Sequence, residues 1–291
     1  GGTTPMHEAA IRVGLSDWRE WLLSVADTRT LRRLELPGEL LESASGEALR
    51  RIGHLRLAVL HVADALPATL SRYASEAGLT DDGNAMTALL RGVRDRLCGG
   101  VRLTSVDVGL DRLRDEDFDT GLRRRAHLLR RLIHDLEPLG VAVAVRVCMP
   151  RPFAGSHEWE WAGNLLHELS DERCGLAVDV AMPDLPETFD PDTLLRDCSS
   201  HLALLRLHFR WGWGESPAEA EWQRWAGALR RHAGPLGIVF CPREVPLNCA
   251  APLLGDVERW ASLLTGAAPP RPLTTPGAGR ATGHPPARSP G

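Results

Sequence analysis

Short apolar runs rich in β-branched residues alternate with longer segments of helical period along almost the whole chain, and no other feature restricts the fold as much. A short, continuously apolar strand is one buried on both faces, and a helical crossover between two such strands makes them parallel neighbours. The runs are Ile11–Ser16, Leu31–Leu36, Arg56–Val62, Leu103–Val108, Val141–Val147, Gly175–Val180, Leu202–His208 and Gly237–Cys241. Eight such rounds in 291 residues predict an α/β fold, a single-domain (β/α)8 TIM barrel over residues 10–265. A disordered N-terminus is expected over residues 1–9 and a disordered Pro/Gly-rich tail over residues 266–291. An open doubly wound sheet is the weaker alternative, because no G-x-G-x-x-G turn follows any of these runs.

The helical segments carry start and stop signals. Asp17 precedes Trp18–Ala26, Asp117 precedes a stretch from Asp119 to Leu136 that stops before Gly140, and Pro191 suits the first turn of a helix reaching Cys198. Glu219–Ala233 places Trp222, Trp225 and Leu229 on one apolar stripe, and Val257–Leu264 reads as the last helix. Trp18, Trp21, Trp222, Trp225 and Trp260 are expected to pack between helices and barrel. Residues 63–97 are long enough for more than one helix, and residues 210–217 form a Trp/Gly-rich loop.

Composition excludes several chemistries. All 34 Lys+Arg residues are arginine, so neither a Schiff-base lysine, a PLP aldimine nor a Walker A lysine is available. Net charge is -4 and the arginines are scattered, which gives no reason to expect nucleic acid as partner. No apolar run is long enough to predict a membrane span. Cys98, Cys148, Cys174, Cys198, Cys241 and Cys249 form no CxxC pair, the pattern of reduced cysteines in a cytoplasmic protein. Gly1–Ala10 shows no basic start followed by an apolar core, so no secretory signal is expected.

In a (β/α)8 barrel the C-terminal strand ends face the site. Here those ends carry Ser16, Glu35, His61, Asp107, Arg146, Asp179, His208 and Arg210, with Cys241 and Glu244 on and just beyond the last strand. Period two puts Arg206, His208 and Arg210 on one face. The runs L-E-L-P (Leu34–Pro37), V-D-V-G (Val106–Gly109), G-L-A-V-D (Gly175–Asp179) and L-H-F (Leu207–Phe209) resemble, in order and spacing, the xylose isomerase-like TIM barrels. That superfamily includes sugar phosphate isomerases and epimerases and the type IV endonucleases.

The resemblance implies isomerase chemistry on a small polyol or hydroxy-carbonyl compound. One divalent metal (Zn, Mn or Co) is then expected between a glutamate, an aspartate, a histidine and a second glutamate at the ends of strands five to eight. Asp179 and His208 match the middle two. Arg146 and Cys241 stand where the glutamates belong, so the expected ligand set is Asp179, His208 and Cys241, and the expected catalytic residues are Asp179, His208 and Glu244. Glu35, His61, Asp107, Arg146, Arg210, Trp211 and Trp213 are expected to bind a sugar-like or anionic small molecule. The endonuclease branch fits less well, since strand four ends in Asp107 rather than a histidine.

A second function is open at this point. With its acid/base glutamates missing, the barrel becomes a metal-free binder of an anionic metabolite, its arginines offering bidentate contacts at the mouth. Alternatively Arg146 and Arg206 pair with Asp179 or Glu35 as an internal ion-pair layer.

Overall fold

Each of the eight apolar runs forms a strand. The computed structural model describes residues 7–14, 17–43, 45–63, 87–88, 90–92, 94–95, 100–106, 117–149, 155–212, 214–245 and 248–267, without the side chains of 41–43, 45 and 155–161. The strands are β1 (His7–Arg12), β2 (Arg33–Pro37), β3 (Ala58–Ala63), β4 (Val101–Val106), β5 (Ala142–Met149), β6 (Cys174–Ala181), β7 (Leu202–Arg210) and β8 (Leu236–Arg243). They close in sequence order into a barrel in which every neighbouring pair is parallel.

The helices are α1 (Trp18–Ala26), α2 (Gly38–Ser43), α3 (Ser45–His54), α4 (Phe118–Leu136), α5 (Gly155–Leu169), α6 (Pro191–Asp197), α7 (Glu219–Arg231) and α8 (Ala250–Thr265). Asp117 caps α4 by accepting from the Thr120 backbone N–H, and Asp190 caps α6 by accepting from those of Asp192 and Thr193. Among the described residues, no helix is long and apolar enough to cross a membrane.

Two boundaries differ from the sequence expectation. β1 begins at His7, inside the segment expected to be disordered, because His7–Ile11 runs alongside Leu236–Phe240 of β8 and closes the barrel. It consequently ends at Arg12, and Ser16 lies outside the described residues. α8 starts at Ala250, well before Val257, with Pro252 in its first turn, where a missing N–H costs nothing. Most of the segment expected to hold extra helices after β3 lies outside the described residues; those described between 87 and 95 are helical.

Two apolar layers hold the barrel. Outside it, strands pack against helices in one continuous core, with Trp222 stacked on Trp260 at 4.6 Å and Phe209 edge-on to Trp260 at 5.5 Å. Trp18, Trp21, Trp222, Trp225 and Trp260 are all buried there, as expected. Inside it, Ala10, Leu60, Leu103, Ala144, Ala177, Leu204, Val239 and Cys241 form a separate plug that mixes small and large side chains.

Two residues further along β1, β4, β5, β6 and β7, the same inward face carries Arg12, Ser105, Arg146, Asp179 and Arg206. An apolar floor thus supports a polar layer. His61 joins this layer through an irregularity: Leu34 pairs with Val59 but Glu35 with His61, so β3 holds Leu60 as an extra residue. Such a bulge re-aims the side chains that follow it.

β6 and β7 approach so closely that a Cβ on Gly175 would lie 2.7 Å from the His201 carbonyl oxygen and 2.8 Å from the Ala203 Cβ. Gly175→Ala is expected to lower stability by about 1–3 kcal/mol in urea unfolding, because the clash is with backbone that cannot rotate away. An unchanged midpoint would contradict this packing.

Candidate functional site

Arg206, on β7, is the centre of the polar layer and is 1% exposed. Its Nε and Nη2 donate to Glu35 Oε2 and Oε1 at 2.9 and 2.8 Å, a bidentate pair across the barrel to β2. Its Nη1 donates to Asp179 Oδ1 and Oδ2 at 2.8 and 2.6 Å, on neighbouring β6. One planar guanidinium therefore ties together three strands.

Each carboxylate also meets an imidazole. His61 Nδ1 lies 2.7 Å from Glu35 Oε2 with both side chains fully buried. His208 Nε2 lies 3.4 Å from Asp179 Oδ2. The result is a chain His61, Glu35, Arg206, Asp179, His208. Burial raises the pKa of Glu35, but the charge of Arg206 and the contacts from His61 and Arg206 outweigh burial and hold it far below its ordinary 4.5. Asp179 is shifted the same way: burial opposes ionisation, and Arg206, His208 and Arg146 overcome it.

Two further features define what this layer can do. Arg12, whose Nε stands 3.9 Å from Glu35, and Arg146, whose charge acts on Asp179, add to Arg206. Moreover, His61 Nε2 and Ser105 Oγ are buried without a hydrogen-bond partner among the described residues. Each buried orphan costs about 1–3 kcal/mol, so a group left in that state is a natural seat for a ligand hydroxyl or carbonyl.

No protein-family model and no curated protein sequence matches the chain. Solved structures do match. A xylose isomerase domain protein from Alicyclobacillus acidocaldarius superposes with a TM-score of 0.62 at 16% identity, covering 89% of this chain and 100% of that one. The 3-keto-D-glucoside 4-epimerase from E. coli gives 0.65 at 13% identity, over 87% and 99%. D-Psicose 3-epimerase from Clostridium cellulolyticum H10 gives 0.62 at 13%, over 89% and 96%. The chain has the xylose isomerase-like barrel fold.

In a xylose isomerase-like barrel the resemblance called for a metal held by the ends of β5 to β8, and the side chains present do not fit one. Both Asp179 oxygens are engaged by Arg206, which also sets a positive charge beside any cation at that carboxylate. The β5 position is a cation, Arg146. Cys241, where a glutamate is expected, is buried with its Sγ 4.0 Å from Glu35 Oε1, and burial and that carboxylate push its thiol well above its ordinary pKa. Glu244 is exposed, lies past the end of β8, and has a positive φ of 54°. Among the described residues, no group of three or more His, Cys, Asp or Glu side chains could hold a metal ion.

The other expected contacts divide. Glu35, His61, Arg146, Asp179 and His208 come together in the layer, and the ion-pair alternative is realised in Arg206. Arg210 ends β7 exposed, 3.5 Å from Glu215. Trp211 is half-buried against the outer core and donates its indole N–H to Asp256 at 2.9 Å, which ties it to α8. Asp107 and Trp213 lie outside the described residues. Among the described residues Cys148, Cys174, Cys198, Cys241 and Cys249 are free thiols, and Cys98 lies outside them. Arg12 and Ser105 escaped the sequence reading: one because β1 ends sooner than expected, the other because it lies mid-strand. Their i+2 spacing from the small or apolar plug residues Ala10 and Leu103 is the signal that finds them.

Arg206→Met is expected to destabilise the protein by about 3–5 kcal/mol, since it strands two buried carboxylates. Arg206→Lys should rescue little, because an ammonium cannot reproduce the fork. For acid, the sign follows from a depressed folded-state pKa: the Glu35 contribution is complete above its ordinary 4.5 and is lost as pH falls below it. Urea unfolding between neutral pH and pH 3 or so should show this loss, and Glu35→Gln should flatten it. A Glu35→Gln protein with the wild-type acid slope would contradict the network.

Proposed function

We propose that this sugar isomerase/epimerase-like barrel binds a small hydroxylated metabolite bearing a carboxylate or phosphate at its C-terminal mouth, and that it does so without a metal. The observation that supports the reading is the coincidence of the Arg12 and Arg146 guanidiniums with two orphaned polar groups, His61 Nε2 and Ser105 Oγ, in one buried layer. The cations match an anionic group, and the orphans match hydroxyl or carbonyl oxygens. Arg206 itself is spent on Glu35 and Asp179 and serves as the rigid base of the site.

Metal-assisted isomerisation is the second reading. The names of the solved neighbours, which include epimerases, favour it. The engagement of Asp179 by Arg206 and the arginine and cysteine at the glutamate positions weigh against it.

The test pairs elemental analysis with thermal unfolding. Protein incubated with Zn, Mn or Co and then desalted is expected to hold far less than one equivalent of metal. Sugar phosphates and sugar acids are expected to raise the melting temperature where neutral sugars do not. Saturation at about 100 times Kd corresponds to roughly 2.7 kcal/mol of stabilisation. Arg12→Gln with Arg146→Gln should remove most of the effect. Near-stoichiometric metal that disappears in an Asp179→Asn, His208→Asn double variant would overturn the reading in favour of the second.

A further inference from the structure

We infer that Glu35 and His61 form a metal-free proton-transfer pair, with His61 Nε2 as the base that acts on the ligand. The inference rests on the binding reading above and adds an activity to it: deprotonation of the carbon next to the carbonyl of a hydroxy-carbonyl phosphate or acid.

The geometry sets the tautomer. Glu35 is ionised and buried, and both its oxygens already accept from Arg206, so it can act toward His61 only as an acceptor. His61 therefore donates its Nδ1 proton across the 2.7 Å contact, which leaves Nε2 with its lone pair. That nitrogen is buried and has no partner. A carboxylate that orients an imidazole through one nitrogen while the other stays open is the arrangement a general base needs. It also stabilises the imidazolium that forms when the proton arrives.

The pairing depends on the bulge in β3, which brings His61 rather than Leu60 opposite Glu35. Neither residue is among the expected metal ligands, and Arg206 and Cys241 connect Glu35 to that side of the layer. The pair thereby offers a proton acceptor in a barrel that has Arg146 and Cys241 in place of the two acid/base glutamates.

The step balances within the site. His61 Nε2 takes the proton from the carbon that bears the hydroxyl. The C–H electron pair becomes the C=C bond of an enediolate, and the carbonyl π pair moves to its oxygen, where the positive charge of Arg12 stabilises it. The imidazolium then returns the proton to the same carbon. Alternatively, after the hydroxyl proton has passed to the former carbonyl oxygen, it protonates the neighbouring carbon and the product is the isomer.

The experiment is proton NMR in deuterated buffer with chelator-treated full-length protein and dihydroxyacetone phosphate, ribose phosphate or fructose phosphate as probe, alongside thermal unfolding with the same probe. Loss of the C–H signal next to the carbonyl is expected. His61→Gln should slow it about 100-fold or more at saturating probe, a loss that weaker binding alone does not produce. Glu35→Asp, which moves the carboxylate away from Nδ1 while keeping its charge, should slow exchange without abolishing binding.

A probe that stabilises the wild-type protein without exchanging would overturn the inference and leave the binding reading standing. Failure of every probe to stabilise the protein would overturn both. Exchange that persists in His61→Gln would assign the base elsewhere. If His61→Gln does not fold, nitrogen-15 shifts of the wild-type imidazoles decide the matter: Nδ1 protonated and Nε2 bare at neutral pH supports the pair, and the reverse tautomer overturns it.

Discussion

One guanidinium between two buried carboxylates governs the inside of this barrel. Glu35, Asp179 and Arg206 are far from water, and none of them could remain charged there alone. Four short contacts from Arg206 make the arrangement tolerable and fix the rotamers of all three side chains. Everything else in the layer is placed relative to them: His61 on the free side of Glu35, His208 beside Asp179, and Arg12 and Arg146 at the margins. The cation that organises these carboxylates is thus supplied by the chain itself, at the place where the resemblance led one to expect a metal ion.

That substitution changes what the site can do. A metal would polarise a carbonyl and leave coordination positions for substrate oxygens. Arg206 cannot exchange ligands in this way, because its donors are committed. In the proposed function recognition passes instead to Arg12 and Arg146 and to the polar atoms of His61 and Ser105, and proton transfer to His61, which Glu35 holds at 2.7 Å.

Much of this was legible in the sequence. Period-two alternation in Leu202–Arg210 put Arg206, His208 and Arg210 on one face, and β2 and β6 likewise gave up Glu35 and Asp179. Three things were hidden, each for a physical reason. The start of β1 is stabilised by pairing with β8, more than 200 residues away, so the segment HEAAIR had no local sign of being a strand and Arg12 was missed. The bulge that faces His61 toward Glu35 depends on how β2 and β3 register, which a single strand does not encode. Trp211 looked free because its partner, Asp256, lies 45 residues away on α8. Trp213 and Asp107 lie outside the described residues, and nothing in the barrel tests their assignment.

The central claim is that Arg206, and not a metal ion, bridges Asp179 and Glu35. A crystal structure from crystals soaked in manganese, with anomalous data collected at the metal edge, addresses it most directly. The guanidinium is expected to lie between the two carboxylates with no anomalous peak at Asp179 or His208. A strong peak bonded to both, with Arg206 swung away from Asp179, would contradict it.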